Sequence, residues 1–107
     1  MNTLSIAHDF SPTPGARSPD EGPFSGEQFL NEKLNPAFVK AVNEHAKLLV
    51  DLDGTEGYAT SFLEASFGGL ARIHGAALVL EVVQLKATAE PYLSEEIRGY
   101  IEDTART

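Results

Sequence analysis

Two aspartates, two hydroxyls and one arginine are the side chains of this sequence best placed to do chemistry. Asp51 and Asp53 flank Leu52, just after the apolar run Leu48-Leu49-Val50 and just before Gly54. Paired carboxylates at the carboxyl end of a buried strand suit covalent attack by one acid and metal capture between the two. Thr60 and Ser61 stand where a helix should begin. Ser61 and Glu64 have capping-box spacing, so the hydroxyl can accept from the Glu64 amide while the Glu64 carboxylate reaches back. Tyr58 and Phe62 flank these hydroxyls with aromatic surface, which either packs into the core or faces a partner. Arg17 is the one cation in a long loop. An anion contact is conceivable for it, and a surface ion pair with Asp20 or Glu21 is the plainer expectation.

Holding these groups in place requires a strand, a loop and a helix in succession. Leu48 to Leu52 reads as a buried strand that stops at Gly54. The loop Asp53 to Ala59 follows. A helix near Ser61 then carries Leu63, Phe67 and Leu70 as one apolar stripe, and Gly75 suits the left-handed residue that ends it. Gly68-Gly69 should let this helix lie close to the sheet or to another backbone.

Before this unit, residues 3 to 10 alternate at Leu4, Ile6 and Phe10, the pattern of a half-buried strand, with His8 on the outward side as a surface histidine. Ser11 to Gly26 holds four prolines and three glycines in sixteen residues, which predicts a long loop without regular structure. Ser25 and Gln28 can cap a helix that buries Phe29, Leu30 and Leu34. Asn35-Pro36 then predicts either two short helices or one kinked at the proline, continuing through Phe38, Ala41, Val42 and His45. After the central unit, Ala77 to Leu85 is nearly continuous in apolar residues, as for a strand covered on both faces. Tyr92 to Ala105 is the last helix, with the stripe Leu93, Ile97, Ile101 and Ala105. The alternation of strands and helices predicts a small α/β domain over residues 1–107: a mixed, mostly parallel sheet of about four strands with three or four helices.

Composition narrows the functional classes. Without cysteine there is no disulfide framework, thiolate metal site or thiol nucleophile. The net charge of −8 repels phosphate backbones, so nucleic acid is not the expected partner. No apolar run approaches membrane-spanning length and no signal pattern opens the chain, so a cytoplasmic protein is the expectation.

Two resemblances compete for the same residues. Val50-Asp51-Leu52-Asp53-Gly54-Thr55 resembles the Asp-x-Asp-Gly-Thr signature of haloacid-dehalogenase-type phosphatases. That resemblance implies Asp51 as nucleophile, Asp53 as general acid and a magnesium ion between carboxylates. The machinery also needs a downstream lysine and a distal acidic pair. Lys86 can stand for the first, but Glu95-Glu96 and Glu102-Asp103 lie within the last helix, and Glu56 replaces the usual apolar residue after the threonine.

The second resemblance runs along almost the whole chain. Five blocks in order are similar to the STAS-like domain of unknown function, a prokaryotic family related to anti-sigma-factor antagonists. They are Phe10 to Gly15 with Arg17, Gly22 to Phe29 with Leu34 and Pro36, Val50 to Thr55, Gly57-Tyr58 with Ser61 to Leu70, and Pro91 to Leu93 with Glu95 to Ile97. The kinship implies a non-catalytic regulatory module, with no cofactor and no metal. It also implies partner switching through phosphorylation by a histidine-kinase-like ATPase. In the antagonists the phosphorylated serine opens a helix after a strand and a short loop. Ser61 or Thr60 matches that acceptor, with Ala59 in place of the antagonists' aspartate and Phe62 in place of their glycine. The expected docking surface is therefore Tyr58, Thr60, Ser61 and Phe62, with a protein partner; a homodimer through an exposed strand edge is a further possibility.

Overall fold

The structure, a computed structural model, describes residues 1–106. Among them run three strands, β1 (Asn2–Ser5), β2 (Leu48–Asp51) and β3 (Val83–Lys86), in the order β1-β2-β3 with both pairs parallel. Five helices accompany them. They are α1 (Ile6–Asp9), α2 (residues 26–43), α3 (residues 60–74), α4 (Ala76–Val82) and α5 (Tyr92–Asp103). The sheet is thus wholly parallel and three-stranded, not mixed and four-stranded. The three strand segments of the sequence are the three strands found, and two of them are shorter than expected.

The first is β1, which stops at Ser5. The Ser5 hydroxyl accepts from the His8 amide at 3.2 Å, and the Asp9 carboxylate accepts from the Ser5 amide at 2.7 Å, a reciprocal cap that turns the chain into α1. His8 is exposed, but in α1 and not on the outward side of a strand. The second is β3: over residues 76 to 82, Val79 and Val82 share one buried helical face, so only Val83 to Lys86 is extended.

The sheet is covered on one face only. Register puts Asn2, Leu48 and Val83 in one row and Leu4, Val50 and Leu85 in another of the same face, where Leu4, Leu48, Val50 and Val83 are buried. The alternate rows, Thr3-Leu49-Gln84 and Ser5-Asp51-Lys86, contain no buried residue. Parallel strands usually carry helices on both sides. Here the uncovered rows are mostly polar and need no cover, and the Lys86 ammonium lies 3.9 Å from Asp51 across them.

Helix α2 is continuous through Pro36. A π turn at Leu30–Leu34 precedes it, and the Asn35 amide bonds back to the Leu30 carbonyl. The wider turn comes just where proline can donate no hydrogen bond, so the helix adjusts without breaking. It ends at Asn43, before His45 with φ 55°. As expected, Ser25 caps it: its hydroxyl accepts from the Gln28 amide at 3.1 Å, while the Gln28 side chain reaches past to the Phe24 amide at 3.1 Å. Helices α2 and α3 approach closely because Gly26 has no side chain. A Cβ there would lie 2.5 Å from the Phe62 carbonyl oxygen. Gly69 serves the same contact, where a Cβ would meet Leu30 at 2.7 Å. Gly68-Gly69 thus bring α3 against the Leu30 side chain and neither to the sheet nor to another backbone; the close backbone approach is at Gly26. Leu63, Phe67 and Leu70 are buried as a stripe, and Gly75, with φ 95°, ends α3. Leu93, Ile97 and Ile101 of α5 are likewise buried, whereas Ala105 falls in a short 3-10 turn and is exposed.

Candidate functional site

The carboxyl end of the sheet gathers the loop after β2, the loop after β3 and the first turn of α3. Each aspartate of the sequence motif is engaged with backbone. One Asp51 oxygen accepts from the Asp53 amide at 2.9 Å, folding the loop over its own strand end. Asp53 reaches to the next loop and accepts from the amides of Ala89 at 3.0 Å and Thr88 at 3.2 Å. The Ala89 amide is the main cause holding the Asp53 carboxyl below its ordinary value. Among the described residues, no group of three His, Cys, Asp or Glu side chains is placed to hold a metal ion.

Tyr58 locks the same loop from above. Its hydroxyl donates to the Leu52 carbonyl at 2.7 Å, and its ring packs on Phe62 with centroids 5.9 Å apart. Burial pushes the phenol up to about 12, and the charges of Asp51, Asp53 and Glu90 add to the rise. The loop also touches the long segment before α2, where the Glu56 amide donates to the Pro12 carbonyl at 2.9 Å.

Helix α3 begins at Thr60, and Ala59 occupies the cap position, two residues before the Ser61 that the capping-box spacing points to. Alanine offers no side-chain acceptor, so the first turn is left without a side-chain cap. The Phe62 and Leu63 amides turn back to the Ala59 carbonyl at 3.0 and 3.3 Å. Thr60 is exposed and Ser61 is half-buried. In α5 the Tyr100 hydroxyl donates to Glu96 at 2.6 Å. Phe62 is no docking residue. It is fully buried, stacked on Phe29 at 5.7 Å and against Phe10 at 6.3 Å, because its position in α3 points into the junction with α2.

Glu64 does not reach back to Ser61. Its two oxygens bind Arg17 at 2.6 Å and Arg72 at 2.7 Å, and these partners, Arg72 first, hold its carboxyl below the ordinary range. Arg17 therefore pairs with α3 and not with Asp20 or Glu21. The backbone explains why. The Gly15 amide donates to the Phe24 carbonyl at 2.7 Å, Gly26 to Ala16 at 2.8 Å and Glu27 to Arg17 at 3.0 Å. These bonds lay the 15–17 stretch along the start of α2, and so against α3. The long loop is a fastened strap, pinned also by the edge-to-face contact of Phe10 and Phe24 at 5.6 Å.

Arg72 and Tyr100 are the residues that sequence reasoning passed over. Arg72 left a signal, since Glu64, Gly68 and Arg72 are spaced by four along one face of α3. A Cβ at Gly68 would stand 2.6 Å from the Glu64 carboxylate and 3.4 Å from the Arg72 guanidinium. The glycine leaves the gap through which a pair eight residues apart can meet. Tyr100 left one too, since Glu96 lies four residues before it in α5.

No curated protein and no solved structure matches the chain. No helix in the described residues is long and apolar enough to cross a membrane. One family does match, over residues 25–93, from the cap of α2 through β2, α3 and β3 to the start of α5. That span contains both aspartates, both hydroxyls and the Glu64–Arg72 pair, and on this match the chain belongs to the family described as the STAS-like domain of unknown function.

Proposed function

We propose that this chain is a non-catalytic regulatory module that docks a protein partner through the first turn of α3 and the loops beside it. Phosphorylation of Ser61 or Thr60 would switch that docking. The observation that carries the reading is the uncapped turn. Ala59 contributes no acceptor, so the turn's positive end and two hydroxyls stand together where a phosphate would find amide donors. Membership in a STAS-like family supports an interaction role by fold. Asp51, Asp53, Glu56 and Glu64 oppose a dianion there, so the added phosphate would change the local field sharply and alter what can dock.

The phosphoryl donor in this reading is a histidine-kinase-like ATPase. The hydroxyl oxygen attacks the γ-phosphorus of ATP, ADP leaves, and the hydroxyl proton passes to solvent. The acids of the motif then have a structural task, holding the two loops that frame the turn.

The test is incubation with ATP and ATPases of this type, followed by mass spectrometry over residues 59 to 64 and a calorimetric binding titration. The expected result is one phosphate on Ser61 or Thr60, absent in the matching alanine variant, with an affinity that differs between the two forms. Protein that neither binds nor takes phosphate would sink the proposal. Magnesium-dependent phosphatase activity lost in Asp51→Asn would replace it with the enzymatic reading.

A further inference from the structure

Arg17 and Arg72 share one carboxylate. Each spends an N–H on a different oxygen of Glu64, and among the described residues neither pairs with another acid. Glu27 also borders them but is exposed and joins neither. A guanidinium has more N–H donors than one carboxylate oxygen uses, so both arginines keep donors to spare.

The strap carries Arg17 past the start of α3. The Ala16 carbonyl accepts from the Gly26 amide, and a Cβ at Gly26 would lie 2.5 Å from the Phe62 carbonyl oxygen and 3.0 Å from the Ala65 Cβ. Glu64 itself extends toward the later turn, where a Cβ at Gly68 would stand 2.6 Å from its carboxylate.

Helix geometry separates the two candidate hydroxyls. At about 100° per residue, Ser61 stands about 60° round the helix from Glu64 on the side of Ala65, and Thr60 about 40° on the other side. Arg17 lies on the Ser61 side. It lines a hollow of about 290 Å³ with Ala65 and Gly69, which fall four and eight residues after Ser61. A phosphate on Ser61 would thus be one turn from the present partner of Arg17. Neighbours at that spacing have Cβ atoms about 5–6 Å apart, a span that phosphoserine and arginine cover between them.

Charge favours the exchange. A phosphate of about −2 with several acceptor oxygens competes against a carboxylate that already serves two arginines. Moving Arg17 leaves Glu64 with Arg72 and gives each anion a cation of its own. The strap backbone can stay, because the Gly26 and Glu27 amides hold the carbonyls of Ala16 and Arg17.

We propose that Arg17 is the receptor for a phosphate on Ser61: its guanidinium leaves Glu64 for the phosphate and ties the modified turn to the strap. This rests on the phosphorylation reading above, and it names Ser61 rather than Thr60 as the regulated hydroxyl.

The test uses the full chain with phosphoserine built in at position 61 during synthesis, so that neither a kinase nor a partner is needed. Followed by phosphorus NMR, the second ionisation of the phosphate should fall at a pH about 1 lower than in the Arg17→Ala variant, with Arg17→Lys between. Amide exchange gives the second readout. Glu64→Gln should speed exchange at Glu27 in the unmodified chain and leave it unchanged in the phosphorylated one, where Arg17 no longer rests on Glu64. The same phosphoserine at position 60 should show neither effect. A phosphate whose ionisation ignores Arg17, a Glu27 amide that still responds to Glu64→Gln, or equal effects from position 60 would each overturn the proposal. So would a kinase that modifies Thr60 alone, an outcome that leaves the phosphorylation reading itself intact.

Discussion

The contact between α2 and α3 makes a prediction whose sign, and not only its size, comes from the structure. Replacing Gly26 by alanine inserts a methyl 2.5 Å from the Phe62 carbonyl oxygen and 3.1 Å from the Phe62 Cα. Both atoms are backbone, so relief requires moving one helix against the other. Overpacking of this kind costs about 1–3 kcal/mol, and the better helix propensity of alanine returns at most about 1 kcal/mol, less at a first-turn position. The net expectation is a loss of about 1–2 kcal/mol, or a melting temperature lower by roughly 5–15 °C for a domain of this size. Gly99 in α5 supplies the control. A Cβ there meets nothing within 4 Å, so Gly99→Ala should stabilise by about 0.5–1 kcal/mol through propensity and unfolded-state entropy. Urea titrations followed by circular dichroism, read at constant m-value, measure both. Equal signs for the two variants would refute the reasoning, because the substitution is identical and only the neighbouring atoms differ.

Three further outcomes follow from the site. Phe62→Ala should cost about 3–5 kcal/mol in the same titration, as for a fully buried aromatic, whereas a docking residue would lose partner affinity at little cost in stability. Tyr58 should titrate near 12 by ultraviolet absorbance. Its folded value lies above the ordinary 10.0, so its contribution is complete below about 10 and declines as pH rises toward 12. Tyr58→Phe should remove that alkaline decline and cost about 1 kcal/mol at neutral pH. Glu64 behaves in the opposite sense. Its folded value lies below 4.5, so the stability it adds is present above 4.5 and is lost as pH falls through the folded value. Glu64→Gln should flatten that acid limb and speed hydrogen exchange at Glu27, the amide bonded to Arg17.

The central unit was readable because its signals are local. The run Leu48 to Val50, the glycine that stops it and the stripe Leu63, Phe67, Leu70 each lie within a few turns of chain. The Ser25 cap was readable for the same reason. The cap lies at Ala59, two residues before Ser61, because a serine followed three places on by glutamate can equally lie inside the first turn. What decided the matter was Arg17, forty-seven residues from Glu64, which no spacing rule brings near. Residues 76 to 82 failed differently. A short apolar run fits strand and helix alike, and here the helix follows immediately on Gly75, with φ 95°. No segment of the sequence marks a fourth strand, and β1 and β3 are each shorter than their apolar runs suggest.

The aspartates show why a short motif at a strand end admits two readings. A carboxylate placed there meets unpaired loop amides whether or not a reaction takes place, and a lowered carboxyl value accompanies either use. What separates the uses is where the oxygens go. Asp51 turns one oxygen to the Asp53 amide, and Asp53 gives one each to Thr88 and Ala89, so that the two loops on either side of the Ser61 turn are tied to each other. Asp53→Asn keeps one acceptor and gives up the charge. In the docking reading it should therefore loosen the 87–91 loop, seen as faster amide exchange at Thr88 and Ala89, and weaken partner binding in step. A variant that loosened that loop yet bound its partner unchanged would separate the aspartates from the turn they frame.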